Sequence, residues 1–379
     1  MNYPLSTAVA ASYKHVIKPV LCKQSPDKVH ERMIKHGSRL QKSRLARRVV
    51  NASLSYNDEA VLGQTILGIN FTNPVGLSAG LDKNFELLPL MKTVGFGFME
   101  GGSVTFHECK GNPRPWFHRL PANKSLVVHV GLANKGAKTI IKRLQAYKTE
   151  EFQDFPINIS VAKTNSAKAA SDQAAISDYI GSLKAFEKAK LGNMYTLNIS
   201  CPNTYGGEPF TTPERLEALL TAVDALHLSS PVFVKMPIDL DWPEFNKLVG
   251  IAAKHDVAGL TIGNLAKKRT DEISKELPAH IKGNLSGMPT QKLSNNLIKL
   301  TRTHYGERFI IIGVGGIFNA EDAYAKIRYG ANLVELITGV IFEGPQLIGR
   351  INRDLAILVR QDGYSNISEA VGTAIVENA

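Results

Sequence analysis

Between residues 198 and 203 the chain sets two carboxamides, Asn198 and Asn203, around a thiol, Cys201. An ionised thiol can take a proton from carbon, and carboxamides can hold a flat polar ring against it by donating and accepting hydrogen bonds. The same residue types also occur as a small buried cysteine beside turn formers. What surrounds them decides. The preceding run, 195–199, is apolar and predicts a buried strand, and the following segment, ending at Gly206 and Gly207, predicts a loop.

Seven more short apolar runs join it: 74–79, 97–104, 157–161, 231–236, 259–262, 309–314 and 333–337. Amphipathic stretches such as 212–226, 243–255, 291–303 and 320–329 alternate with them. Strands alternating with helices predict a parallel sheet, and a count of eight predicts an α/β fold closed as a (β/α)8 TIM barrel. The strand exits would then meet at one mouth. They carry Gly80 and Lys83, then Gly101-Gly102-Ser103, Asn158, Asn198 to Asn203, Lys235, Gly263-Asn264, Gly315-Gly316 and Thr338-Gly339. Glycine turns after the last two strands are the usual phosphate cradle of barrels. A lysine in the apolar strand 231–236 needs an anionic or acceptor partner, either a ligand or an ion pair inside the barrel. With no dinucleotide fingerprint on an opening strand, a mononucleotide such as FMN is the expected cofactor.

At 379 residues the chain can hold one barrel and an appendage, and no apolar run is long enough to span a bilayer. Three cysteines without paired or metal-like spacing predict neither a disulfide scaffold nor a metal site. The net charge of +11 is concentrated at the start: residues 1–50 carry eleven Lys and Arg against Asp27 and Glu31, an excess of nine. Two amphipathic helices are expected there. The first carries Leu5, Val9, Tyr13, Val16 and Val20 on one face, and the second begins at Ser25-Pro26 and carries Val29, Met33, Leu40 and Leu45. Basic flanks on apolar stripes fit an element lying on an anionic lipid surface; a helical cap packed on the barrel is the other reading. Aromatics are not interleaved with the charges, so no nucleic-acid partner is expected. The division expected is an extension over 1–50 and a catalytic domain over 51–379.

The segments 73–84, Gly111-Asn112-Pro113-Arg114-Pro115, Asn198 to Asn203, Leu285-Ser286-Gly287-Met288-Pro289 and Ile312-Gly313-Val314-Gly315-Gly316-Ile317 resemble the dihydroorotate dehydrogenases, in order and over nearly the whole chain. In that family an N-terminal helical pair marks the membrane-associated, quinone-using (class 2) type, and residues 13–45 look like it. The resemblance implies an oxidoreductase of pyrimidine biosynthesis that oxidises dihydroorotate to orotate through FMN and passes electrons to a membrane quinone. It implies flavin contacts from Ala79, Gly80, Lys83, Ser103, Asn158, Asn198, Lys235 and Gly263, with the phosphate against Gly287, Gly316, Thr338 and Gly339. Lys83, Gly131, Leu132, Asn198, Asn203 and Asn264 match the substrate positions. Cys201 matches the base that takes the C5 proton while hydride leaves C6, and neighbouring cations are expected to depress its pKa. His30 and Arg119 match the quinone tunnel. The implied setting is peripheral to a membrane, on the cytoplasmic side of a bacterial inner membrane, with the mitochondrial inner membrane left open.

Four positions depart from the family pattern. Cys201 stands where the quinone-using class carries serine. Val128 replaces a ring-binding asparagine, Leu265 a hydroxyl residue, and Ile337 an aromatic. Two of these remove polar contacts to the ring, and such contacts can discriminate by factors of about 10⁴–10⁵. Two alternatives therefore stay open: a divergent flavin oxidoreductase acting on another unsaturated ring or enone, and a non-catalytic flavin-binding paralogue.

Overall fold

The computed structural model describes residues 3–205 and 207–376. Gly206 and the side chain of Leu5 lie outside the described residues. Eight strands, β1 (Val75–Leu77), β2 (Phe98–Val104), β3 (Ile157–Val161), β4 (Met194–Asn198), β5 (Val232–Met236), β6 (Val257–Ile262), β7 (Ile310–Val314) and β8 (Leu333–Leu336), pair in parallel and close into a barrel. Each of the eight expected runs overlaps one of them, with β4 starting one residue and β6 two residues earlier than expected. Helices cover the outside, so the strands are buried on both faces and their sequences are almost continuously apolar.

Side-chain alternation arranges the interior in layers. At the N-terminal end Phe98, Met194, Phe233, Ile312 and Leu333 form an apolar plug with Ile66 and Phe71, which come from the hairpin Gln64–Ile66/Ile69–Phe71. The Phe71 and Phe98 rings meet edge to face at 5.4 Å. Gly76 leaves room for the plug, since a Cβ there would lie 2.3 Å from Phe98 Cζ. Two residues further along their strands, Glu100, Thr196, Lys235 and Glu335 form a polar layer above it. Over the opposite end lies a three-stranded antiparallel roof, in the order Asn284–Gly287, Ser125–Val128, Phe117–Leu120.

The N-terminal region holds three helical runs rather than the expected two. The first is continuous from residue 3 to 22, with one π turn at Tyr13–Ile17 between Tyr3–Ser12 and Lys18–Cys22. Pro19 has no N–H for the carbonyl of residue 15, and the wide turn sits where that bond is lost. The second run is Pro26–Leu40. Ser43 then starts a third, Arg44–Leu54, accepting the Ala46 N–H on its Oγ at 3.2 Å. Leu45 therefore opens a new helix, and residue 50 falls inside it. Much of the apolar stripe faces outward: Leu45 is 72% exposed and Val16 61%, with Val20, Met33 and Val49 also exposed. No helix among the described residues is long and apolar enough to cross a membrane.

Candidate active site

The mouth of the barrel contains a cleft whose open space, part of it continuous with solvent, is about 540 Å³. Ala79, Lys235, Gly263, Asn264, Gly287, Gly316, Thr338 and Gly339 all line it. At the exit of β7, Gly315 and Gly316, both lining the cleft, have φ of +108° and +68°, a backbone that side chains rarely adopt. At the exit of β8 the helix Thr338–Glu343 begins, and first-turn N–H groups have no intrahelical acceptor. The Thr338 and Ser286 hydroxyls lie 2.9 Å apart at the same wall. Gly80 has φ +119°, and a Cβ there would meet only Ile337 Cδ1, at 3.6 Å. Backbone donors, two hydroxyls and a lysine are the chemistry a phosphorylated planar cofactor needs.

Beside the cleft runs a chain of amides and hydroxyls. Asn198 Nδ2 donates to Ser103 Oγ at 2.8 Å, and Ser103 is 2.9 Å from Ser160 Oγ. Asn264 Nδ2 donates to Ser200 Oγ at 2.7 Å and to its carbonyl at 2.9 Å, and reaches Asn198 Oδ1 at 3.4 Å. Asn158 lies deeper, exchanging hydrogen bonds with Thr196 at 2.8 and 3.1 Å. Lys235 Nζ contacts both Glu100 oxygens, at 3.3 and 3.4 Å, and Ser78 Oγ at 3.5 Å. The lysine thus has its ion pair inside the barrel and also faces the cleft.

Cys201 follows β4 and is half-buried. Burial pushes its thiol up to about 11, the reverse of the expected depression. The neighbouring cations are present, Lys163 and Lys235, but their pull toward thiolate is weaker than the cost of burying it. Asn203 is engaged with protein on both sides. Its Nδ2 donates to the Val128 carbonyl at 2.9 Å, and its Oδ1 accepts from Asn284 Nδ2 at 3.0 Å with His129 Nδ1 at 3.3 Å. Val128 itself packs against an apolar cluster of Leu126, Phe318 and Phe342, which is why that position is not polar here. Gly131 and Leu132 hold left-handed turns beneath the roof, with φ of +67° and +60°.

Lys83 stands apart from the cleft wall. Buried Asp82 accepts the N–H groups of Asn84, Glu86 and Leu87, at 3.2, 2.8 and 2.6 Å, and so fixes the turn that presents it. Lys83 Nζ is shielded from solvent without a hydrogen-bond partner, 5.4 Å from the Phe117 ring centre, and burial lowers its pKa to about 8. The His30 ring lies 5.5 Å from Phe117, and burial, Lys83 and Arg114 push its pKa down to about 3, so it is neutral. Arg119 donates to the Gln24 carbonyl at 2.8 Å, and the Trp116 N–H donates to Asp27 at 3.1 Å. The N-terminal helices are therefore fastened to the roof next to Lys83.

Sequence reasoning missed Lys163 and Asn165. Lys163 is buried, two residues past β3, and donates to the Tyr205 carbonyl at 2.6 Å. Asn165 accepts the Tyr205 N–H at 2.6 Å and donates to the Gly131 carbonyl at 3.0 Å. The available signal was a lysine and an asparagine just beyond the third strand exit, the one exit from which only Asn158 was drawn.

Residues 61–359 match the family model described as dihydroorotate dehydrogenase. The chain is 35% identical over 375 residues to the dihydroorotate dehydrogenase (quinone) of Nostoc punctiforme, covering 96% of this chain and 98% of that one. It is 34% identical to the dihydroorotate dehydrogenase (quinone) of Thermobifida fusca, covering 89% of each. Among solved structures it resembles DHODH from Eimeria tenella in complex with ferulenol, with a TM-score of 0.79, 26% identity, and coverage of 88% of this chain and 95% of that one.

Proposed function

The chain belongs to the dihydroorotate dehydrogenase family, in its quinone-using type, and from that premise we propose that it oxidises dihydroorotate to orotate with Cys201 as base and a membrane quinone as electron acceptor. One observation carries the reading. Asn264 lines the cleft and is bonded to Ser200, so a single carboxamide links the cleft to the residue that precedes Cys201.

The family is flavin-dependent, and the form that suits this cleft is FMN. Gly287, Gly316, Thr338 and Gly339 would receive its phosphate, and Ala79, Gly80 and Lys235 its ring. When bound, the flavin supplies hydride acceptance and passes the electrons on. The chain's own residues do the rest. Cys201 Sγ takes the C5 proton. Lys163 and Lys235 favour the thiolate it must become. Asn198 and Asn264, whose carboxamides lie 3.4 Å apart, would hold the ring's polar edge. Lys83, a shielded cation without a partner, suits the substrate carboxylate. Neutral His30, Arg119 and the cluster of Leu126, Phe318 and Phe342 suit an apolar quinone entering beneath the first helix. The exposed apolar stripe with its basic neighbours would rest on an anionic lipid surface, which brings that entrance to a lipid-borne acceptor.

A second reading has its own observation: both ends of the Asn203 carboxamide are engaged by protein. A less polar ring or enone would ask less of it. Anaerobic titration of the holoprotein decides between them. Bleaching of the flavin by dihydroorotate, reversed by a soluble quinone, is the expected result. Bleaching by another unsaturated ring, with none by dihydroorotate, would establish the second reading.

A further inference from the structure

The polar layer inside the barrel sets two buried carboxyl groups, Glu100 and Glu335, against one lysine, Lys235. Glu335 on β8 is fully buried, and the groups within bonding reach of its carboxyl are Glu100 and Ser78, with no cation of its own. In register it lies between Gly76 of β1 and Val314 of β7, which offer no charge. The charged groups that face it are Glu100 of β2 and Lys235 of β5; Ser78, Asn158, Thr196 and Thr261 supply only neutral polar atoms. Lys326, buried behind the barrel wall, is turned away, donating to Ser294 Oγ and Asn295 Oδ1 at 2.6 Å each. Lys235 already lies against both Glu100 oxygens, and Thr261 Oγ1 in the same layer is without a partner.

A second carboxylate here would be an uncompensated charge in a site closed to water. Such a group neutralises by keeping its proton. We propose that Glu100 and Glu335 share a single negative charge opposite Lys235, and that the proton held by this pair keeps the layer beneath the flavin neutral and so sets the flavin's reduction potential. Burial and the neighbouring Glu100 drive the Glu335 carboxyl well above the usual carboxylate range, and Lys235 only partly opposes them. The electrostatic half rests on the placement of the flavin ring over Lys235. Reduction adds negative charge to that ring. A layer of one ammonium, one carboxylate and one carboxylic acid leaves this charge unopposed, whereas two carboxylates would repel it. Glu335 acts here through Lys235 and touches neither substrate nor ring.

The test uses Glu335→Gln, Glu100→Gln and the double variant, each nearly isosteric, in the flavin-loaded full chain at pH 7. If one charge is shared, either single variant still leaves one carboxylate opposite Lys235. The ratio of oxidised to reduced flavin at a fixed potential should then change by less than about threefold. The double variant leaves Lys235 uncompensated and should move that ratio toward reduced flavin by roughly tenfold or more. A shift of that size in Glu335→Gln alone would mean that both carboxyls are ionised, and overturns the proposal. A second measurement needs only the wild-type holoprotein: the infrared band of a protonated carboxyl, moved by ¹³C labelling of glutamate and slow to exchange its proton. Its absence also overturns the proposal. A silent double variant with that band present overturns the flavin placement and the control of potential, and the shared proton stands.

Discussion

Lys163 Nζ donates to the backbone carbonyl of Tyr205 at 2.6 Å, tying the exit of β3 to the loop that carries Cys201. The same ammonium is one of the two cations that favour the Cys201 thiolate. Lys163→Met should therefore affect both position and charge. Reduction of the flavin by dihydroorotate at pH 8 should slow about tenfold, the size of effect expected for losing a nearby opposite charge. The pH dependence separates charge from position: the rate should keep rising to higher pH than in wild type. A slower rate with an unmoved profile would leave only the tether. Stopped-flow absorbance from neutral pH to beyond the thiol's pKa of about 11 makes the measurement.

Cys201 should dominate the first half-reaction. Cys201→Ala removes the proposed base and is expected to slow flavin reduction about 10²–10⁴-fold while the bound flavin remains. In wild type the proton must leave a thiol that burial pushes up to about 11, so the rate should climb through neutral pH without an early plateau. Quinone reoxidation of photoreduced enzyme, which does not use the thiol, should be unaffected.

Lys326 gives the fold a pH dependence of its own. Burial lowers its pKa from an ordinary 10.5 to about 7. Between those values the unfolded chain holds the extra proton, so stability should rise with pH, at up to about 1.4 kcal/mol per pH unit. Below the lower value both states are protonated and this contribution no longer changes. Urea unfolding of wild type and Lys326→Met on the alkaline side of neutrality checks the sign: the variant should lack the rise.

The outward stripe should govern lipid binding. Replacing exposed Val16 and Val20 with glutamate removes apolar contacts and adds repulsion from an anionic surface. Partitioning into phosphatidylglycerol vesicles should fall by roughly tenfold or more, with flavin content retained. Vesicle sedimentation measures it, and unchanged partitioning would remove this face from the docking surface.

Much of the barrel was legible because each strand is a short apolar run closed by glycine or a polar turn, and eight such runs have few ways to pack. Glycines of the β7 and β8 exits were legible for the same reason. Other features depend on tertiary distance. The thiol's direction of shift could not be read from Cys201 and its sequence neighbours, because Lys163 is 38 positions away and burial outweighs it. The break at Ser43 was obscured by the continuing stripe of Leu40 and Leu45, although a serine before a basic helical run is a usable N-cap signal. Glu335 sits in a run that matches a plain buried strand, and only the closed barrel brings it against Glu100 and Lys235.

The middle strand of the roof, Ser125–Val128, gives its Val128 carbonyl to Asn203, while the outer strand's Arg119 grips Gln24. On the proposed placement of the two ligands, that small sheet is a lintel between a water-borne ring and a greasy oxidant. A displacement of the N-terminal helices would then reach the Asn203 side of the roof through two backbone carbonyls, those of Gln24 and Val128.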